Sequence, residues 1–141
     1  MLTEHEIEIR VRYQETDGQG RVHHANYFKY FEMGRVELLR AAGFSYKELE
    51  ARGIMLVVAE IACRFHRGAE YDDILRLVTR TVRVTAARIE HEYQVFRGEE
   101  LMAQGKSTIA CIDRDGRAPR VRPARVGAAS SRSRGRNAIR R

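Results

Sequence analysis

The stretch that decides the fold is Tyr13–Glu32, which reads YQETDGQGRVHHANYFKYFE. Asp17 is followed by Gly18 and Gly20, which permit a tight turn, and then by an aromatic-rich run with helical spacing. The stretch therefore predicts a carboxylate held just before the first turn of a helix. Free backbone N–H groups at a helix start can hold an oxyanion. A carboxylate and an oxyanion site together are the minimum equipment for acyl transfer.

A strand is predicted on the N-terminal side of this stretch. Residues 6–13 alternate between apolar and charged side chains, with Ile7, Ile9, Val11 and Tyr13 on one face. Such a period of two is typical of a half-buried strand.

A long helix is predicted on the C-terminal side, with Asn26 as its N-cap and Gly43 as its end. Its apolar stripe recurs at spacings of four and three residues: Tyr27, Phe31, Gly34, Leu38 and Ala41. A glycine inside a helix costs about 1 kcal/mol relative to alanine. Gly34 therefore predicts that another backbone packs closely against this helix.

The rest of the chain to residue 116 predicts a short helix and four strands. The helix covers 46–52, with Ser45 and Glu48 at capping-box spacing and Gly53 after it. The strands are predicted at 54–65, 74–84, 89–96 and 101–112, arranged as a meander. One long helix against an antiparallel sheet is an α+β architecture.

The charge of the chain is unevenly distributed. The net charge is +7, but residues 1–116 hold all 19 acidic and 17 basic residues, a balance of −2. Residues 117–141 hold nine arginines and no acid, and this tail is predicted to be disordered. The high isoelectric point therefore belongs to the tail, and no nucleic-acid binding is expected of the domain. The tail could contact acidic lipid, RNA or an acidic protein, but the favoured interpretation is a solvated extension.

The composition also predicts the compartment. No apolar run approaches the ~20 residues of a transmembrane helix, and the acidic N-terminus lacks the apolar core of a signal peptide. Cys63 and Cys111 are isolated thiols without the spacing of a disulfide framework or a zinc site. These features predict a cytoplasmic protein that needs no metal.

The stretch that opened this section resembles a known family. The pattern Tyr13-x-Glu15-Thr16-Asp17-x-x-Gly20-x-Val22-x-His24-x-Asn26-Tyr27 resembles the signature of hotdog-fold acyl-CoA thioesterases, in the subgroup of 4-hydroxybenzoyl-CoA thioesterase and YbgC-type enzymes. The resemblance covers about residues 6–116, so residues 1–116 are expected to form the thioesterase domain. It implies a five-stranded antiparallel sheet wrapped around a long central helix. It also implies a homodimer or homotetramer in which the sheets of two subunits continue, with active sites at the interface.

The resemblance implies catalytic roles for Asp17 and His24. Asp17 would act as general base or as nucleophile on the thioester, and the N–H of His24 would hold the carbonyl oxygen. The structural alternatives are that Asp17 only caps the turn and that the amide binds only water. Glu15 is open between a partner of the site and a solvated charge.

Substrate-binding roles are expected for Gly20, Asn26, Tyr27, Arg64, Arg67 and Arg88, and no cofactor is expected. The arginines would meet the phosphates of coenzyme A, although an arginine on a strand usually only faces solvent. Two other functions remain open, a thioesterase for acyl groups on acyl carrier protein and a non-catalytic module that binds acyl thioesters. The acyl group itself is not predicted.

Overall fold

The computed structural model describes residues 3–117. Five strands, two helices and one 3-10 turn at Tyr13–Glu15 follow one another along the chain. The strands are β1 (Glu4–Arg10), β2 (Met55–Phe65), β3 (Ile74–Val84), β4 (Arg88–Arg97) and β5 (Glu100–Ile112), and the helices are α1 (His24–Ala41) and α2 (Tyr46–Ala51). The predicted tail lies outside the described residues except for Arg117.

The strands form one antiparallel sheet in the order β1-β3-β4-β5-β2. The predicted meander of four strands is therefore wrong, because β2 pairs with β5 and not with β3. The connectors 85–87 and 98–99 are short enough for hairpins, which join β3 to β4 and β4 to β5. The longer connector 66–73 lets the chain cross the sheet, so β2 and β1 become its two edges.

The strand limits of β1 also differ from the prediction. Ile7, Ile9 and Val11 face the core as expected, but β1 ends at Arg10. Tyr13 lies in the 3-10 turn, with 77% of its surface exposed, and contacts Tyr71 edge to face at 5.7 Å between ring centroids. The alternation of apolar and charged residues continues to Tyr13, but hydrogen bonding to β3 ends at Arg10. An alternating sequence pattern does not indicate where the pairing with a neighbouring strand stops.

Helix α1 lies across one face of the sheet and forms the main core with it. Phe31 is fully buried and stacks on Tyr93 of β4, with ring centroids 4.2 Å apart and planes inclined by 9°. The ring occupies space left by Gly105 of β5, where an added Cβ would lie 2.5 Å from a Phe31 ring carbon. Sequence and structure agree on this α+β arrangement of one long helix against an antiparallel sheet.

Close packing occurs at Gly34, but not against a backbone as predicted. A Cβ at this position would collide with the side chains of Thr79 and Leu77, both on β3. Both side chains are fully buried. The glycine therefore lets α1 approach the side chains of the sheet rather than another main chain.

A buried polar cluster under α1 was not predicted from the sequence. The Arg35 guanidinium donates to the Tyr93 hydroxyl at 3.3 Å, and that hydroxyl lies 2.6 Å from the Ser107 hydroxyl. His91 lies beside them, and its burial, reinforced by the charge of Arg35, lowers its pKa to about 3. The imidazole is therefore neutral at physiological pH, and the cluster carries the charge of Arg35 alone.

Candidate active site

Asp17 lies in a tight turn between the 3-10 turn and α1. Its Oδ1 accepts the backbone N–H groups of Gln19 at 2.9 Å and Arg21 at 3.2 Å. The same turn is closed by backbone bonds from the Asp17 N–H to the Arg21 carbonyl and from the Gly20 N–H to the Asp17 carbonyl. Asp17 thus caps its own turn, but with one oxygen only. Within residues 3–117, no other residue donates a hydrogen bond to Oδ2.

The carboxyl group of Asp17 is ionised at neutral pH. The amide hydrogen bond from Gln19 is the main reason that its pKa lies below the usual value, with support from the Arg21 amide. The acceptor oxygen that remains is therefore an anionic one. This is the form that a general base or a carboxylate nucleophile requires.

The start of α1 is capped by His23, so the prediction of Asn26 as N-cap is wrong. The His23 Nδ1 accepts the N–H of Ala25 at 3.1 Å, and the His23 carbonyl accepts the N–H of Asn26 at 2.9 Å. An imidazole nitrogen at this position takes the part that an Asn or Asp oxygen usually has. The Asn26 side chain instead points back and donates to the Glu15 carbonyl at 2.8 Å.

These contacts leave one backbone donor free at the helix start. The N–H groups of Ala25 and Asn26 are occupied, whereas that of His24 has no partner among the described residues. The positive end of the α1 dipole adds to its attraction for negative charge. The residue expected to supply an oxyanion donor is thus the one whose amide is unoccupied.

The aromatic side chains around this amide belong partly to the core. The His23 and His24 rings stack at 4.2 Å, and His24 meets Phe65 at 6.4 Å. Tyr27 is 3% exposed and packs on Phe65 and Tyr30, so it forms part of the wall behind the helix start. Contact between Tyr27 and substrate remains a prediction.

Gly20 has a φ of +80°, and nothing lies within 4 Å of the position that a Cβ would occupy. The left-handed backbone accounts for glycine at this point of the Asp17 turn. The open space beside it is compatible with the predicted approach of a ligand.

The three predicted arginines do not lie together in one chain. Arg64 and Arg67 lie at the end of β2 beside Phe65, which contacts His24. Arg67 pairs with Glu100 at 3.3 Å, whereas Arg64 forms no ion pair within the described residues. In the sheet register, Arg88 lies opposite Ala110 of β5, whereas Phe65 lies opposite Ala103, seven residues earlier on the same strand. Seven residues along a strand span roughly 23 Å, so Arg88 lies at the other end of the sheet.

The sequence did not decide whether Glu15 is a partner of the site or a solvated charge. Its side chain is only 12% exposed, and its carboxylate accepts the Tyr30 hydroxyl at 2.8 Å. Tyr30 itself lies in the core and did not stand out among the aromatic residues of α1. One signal was available, because Glu15 lies three residues after Arg12, the spacing at which a Glu side chain reaches back to a backbone N–H, and it accepts the Arg12 N–H at 2.8 Å.

Other kinds of catalytic group find no support in the part of the chain described. Burial raises the pKa of Cys63 to about 12 and that of Cys111 to about 11, so neither thiol is an activated nucleophile. Across residues 3–117, no cluster of three or more His, Cys, Asp or Glu side chains is placed to hold a metal ion. Neither α1 nor α2 has the length and apolar character needed to cross a bilayer.

Comparison with known proteins identifies the family of this chain. The family model of the thioesterase-like superfamily matches residues 11–129. The acyl-CoA thioesterase YbgC of Haemophilus influenzae is 33% identical over 122 residues, which is 86% of this chain and 90% of that protein. A chloroplast acyl-acyl carrier protein thioesterase of Arabidopsis thaliana, ATL3, is 28% identical over 86% of this chain and 63% of its own.

Solved structures extend the likeness to the fold. The DHNA-CoA thioesterase of Staphylococcus aureus is 29% identical and superposes with a TM-score of 0.79, over 86% of this chain and 82% of that one. The five-stranded sheet around α1 is the hotdog arrangement that the resemblance implied. The chain therefore belongs to the thioesterase-like superfamily and is a thioester hydrolase of hotdog fold and YbgC type.

Proposed function

We propose that this enzyme hydrolyses an acyl-CoA thioester to a carboxylic acid and free coenzyme A. The observation that carries the proposal is that two groups without hydrogen-bond partners lie on the same junction between the Asp17 turn and α1. These are the anionic Oδ2 of Asp17 and the backbone N–H of His24.

Asp17 supplies the base or the nucleophile in this mechanism. As a base, Oδ2 takes a proton from water while the water oxygen attacks the thioester carbon. As a nucleophile, Oδ2 attacks that carbon itself, and water hydrolyses the resulting anhydride. By either route the C–S bond breaks, and its electron pair leaves on sulfur as a thiolate that is then protonated. One water is consumed, and no metal or cofactor takes part.

The His24 N–H stabilises the charge that develops on the carbonyl oxygen. As the carbonyl carbon becomes tetrahedral, its oxygen becomes anionic and accepts this hydrogen bond more strongly than the ground-state carbonyl does. A single donor of this kind is worth ~10²–10³ in rate. The imidazole of His23 assists indirectly, because it occupies the neighbouring Ala25 amide and leaves that of His24 to the substrate.

Coenzyme A is favoured as the carrier of the acyl group because two arginines lie at the end of the sheet where Phe65 contacts His24. Arg64 has no carboxylate partner in the described chain, and Arg67 shares its partner, Glu100, with Arg97. Both guanidinium groups could meet phosphates of the nucleotide. Acyl carrier protein shares the pantetheine arm but lacks the adenosine phosphates, so the two carriers can be separated experimentally. The free thiols of Cys63 and Cys111 suit a reducing compartment, which supports a cytoplasmic setting.

Hydrolysis of matched substrates tests this proposal. We expect thiol release from at least one member of a panel of aliphatic and aromatic acyl-CoA esters. The same acyl group on pantetheine alone should show a KM at least about tenfold higher, because the phosphate contacts are lost. Thiol release is followed by a colorimetric thiol reagent.

Two outcomes would contradict the proposal in different ways. Hydrolysis of the acyl group only when it is carried on acyl carrier protein would assign the enzyme to that substrate class. Binding of acyl-CoA without any thiol release would favour a non-catalytic module.

We further propose that the active enzyme is at least a dimer, formed through the free edge of β2. This edge strand is long and apolar, and its exposed side chains include Met55, Val57, Val58 and Phe65. An exposed apolar edge of this length is a template for pairing with another strand. Antiparallel pairing of two β2 strands would bring the beginning of a second subunit's β2 to the end of this one. Arg88 of that subunit would then lie at the same end of the joined sheet as Asp17.

Substitution at the edge tests the dimer. We expect a mass of at least twice the 16.3 kDa of the chain, and we expect Val58→Lys to reduce it at least by half, because a charge would be buried between the paired strands. Met33→Lys is the matched control, because Met33 on α1 is similarly exposed, 44% against 49% for Val58. Light scattering coupled to size exclusion measures both. A monomeric wild type, or loss of the dimer only in Met33→Lys, would rule out the β2 joint.

A further inference from the structure

The carboxylate of Glu15 is held by three hydrogen bonds. Its Oε1 accepts the Arg12 N–H at 2.8 Å and the Tyr30 hydroxyl at 2.8 Å, while its Oε2 accepts the Arg12 Nε at 2.9 Å. Burial by itself would favour the neutral acid, but these donors hold the pKa of Glu15 below its ordinary value. The carboxylate is therefore charged, partly buried and fully engaged, which is not the state of a solvated surface charge.

The backbone carbonyl of Glu15 is held by the start of α1. It accepts the His23 N–H at 2.8 Å and the Asn26 side-chain amide at 2.8 Å. Two of the residues that hold Glu15, Asn26 and Tyr30, are four positions apart on α1 and so lie on the same face of the helix. Helix α1 therefore holds this one residue through both its main chain and its side chain.

This double attachment ties together the two groups of the proposed catalytic pair. Asp17 follows Glu15 after a single residue, Thr16, whose backbone is paired with Val22. His24 follows His23, which donates to the Glu15 carbonyl. The position of the Asp17 carboxylate relative to the His24 N–H thus depends on how Glu15 sits against α1. Placement matters because a misplacement of about 1 Å can cost ~10²-fold in rate.

We propose that Glu15 and Tyr30 are positioning residues, which fix the Asp17 turn against the start of α1 without touching the substrate. The inference rests on the proposed function, since it concerns the placement of Asp17 and the His24 amide. Tyr30 is 1% exposed, lies in the core and donates to Glu15 from beneath the turn. Its effect on the reaction therefore passes through Glu15.

The test compares two buried tyrosines. Tyr30→Phe removes the hydroxyl that donates to Glu15, and Tyr93→Phe removes a hydroxyl that contacts Ser107 and Arg35. Both side chains are 1% exposed, but Tyr93 lies on β4, and its hydroxyl contacts Arg35 and Ser107 rather than any residue of the Asp17 turn. We expect Tyr30→Phe to lower kcat about tenfold or more and to change KM less than about twofold. Tyr93→Phe should lower the melting temperature similarly and change kcat less than about twofold.

Two further measurements support the comparison. Amide hydrogen exchange at Asp17 and Arg21, which bond to each other across the turn, should accelerate in Tyr30→Phe but not in Tyr93→Phe. Glu15→Gln should also lower kcat, and combining it with Tyr30→Phe should cost less than the product of the two separate losses, since both disrupt one contact. The Glu15→Gln arm and its exchange rates decide the question if Tyr30→Phe does not fold.

The outcomes separate this inference from the proposed function. If Tyr30→Phe and Glu15→Gln reduce stability but leave kcat and the exchange of the turn unchanged, the positioning role is wrong. If Asp17→Asn abolishes turnover in the same series, the proposed function survives that result. Unchanged turnover in Asp17→Asn would instead overturn the proposed function itself.

Discussion

Asp17→Asn is expected to lower kcat at least ~10²-fold while acyl-CoA binding is retained, because the amide has neither the charge of a nucleophile nor the basicity of a proton acceptor. The side-chain oxygen of asparagine can still accept the Gln19 and Arg21 amides, so the turn should keep its shape. Steady-state hydrolysis gives kcat, and isothermal titration with a non-hydrolysable thioether analogue gives the affinity.

The matched control for this variant is Asp72→Asn. Asp72 is an exposed aspartate in another turn, where it pairs with Arg10, and its φ of 71° is one that asparagine tolerates. We expect its turnover to stay within about twofold of wild type. Equal activity of Asp17→Asn and Asp72→Asn would remove Asp17 from the mechanism.

The pH dependence of kcat/KM follows from the same carboxylate. Because hydrogen bonds lower the pKa of Asp17 from 3.8, the ionised form persists from neutral pH to below that value. Activity that depends on this form is present above the folded-state pKa and is lost as pH falls through it. The acidic limb of the profile is therefore expected below pH 3.8, and a limb near pH 6 to 7 would point to a histidine instead.

Phe31→Ala is expected to have the largest effect on stability, a loss of about 4 kcal/mol in the free energy of unfolding. Its ring is fully buried, stacks on Tyr93 and fills the space above Gly105, so truncation leaves a cavity that the glycine cannot fill. A loss of this size is a large part of the ~5–15 kcal/mol by which domains are stable. Urea denaturation followed by circular dichroism measures it.

Phe96→Ala provides the control on the opposite face of the sheet. Phe96 lies under the Arg76 guanidinium at 4.4 Å and is only partly buried, so its truncation removes less contact and opens no internal cavity. We expect a loss of no more than about 1.5 kcal/mol. Comparable losses in both variants would mean that the core is not centred on Phe31 and Tyr93.

Local features of the structure were readily predicted from the sequence. The predicted span of β3 is the observed one, Ile74–Val84, and Ser45 accepts the Glu48 N–H at the start of α2 as its spacing indicated. Predictions that needed knowledge of distant partners were less accurate. Gly34 indicated close packing, but only the packing of α1 on β3 shows that the neighbours are the side chains of Thr79 and Leu77.

The start of α1 shows why the candidate site was only partly predictable. Asn26 has the usual chemistry of an N-cap, but its side chain is drawn to the Glu15 carbonyl, and His23 takes the capping position. Residue type alone could not rank these possibilities, because the choice depends on where the 3-10 turn places Glu15. Arg88 is a similar case, since a strand residue does not reveal which end of the sheet it occupies.

The sequence by itself determined the α+β class, the residues of the Asp17 turn and their likeness to thioesterases, because alternation, helical spacing and turn chemistry are local properties of the chain. Only the tertiary structure decided the strand order, the burial of Arg35 and His91, and the contacts that leave Asp17 Oδ2 and the His24 N–H unoccupied. The physical reason is that hydrogen-bond occupancy depends on which groups meet in space. In the Tyr13–Glu32 stretch, the contacts of the Asp17 turn with α1 include the hydrogen bonds that Asn26 and Tyr30 of the helix donate to Glu15.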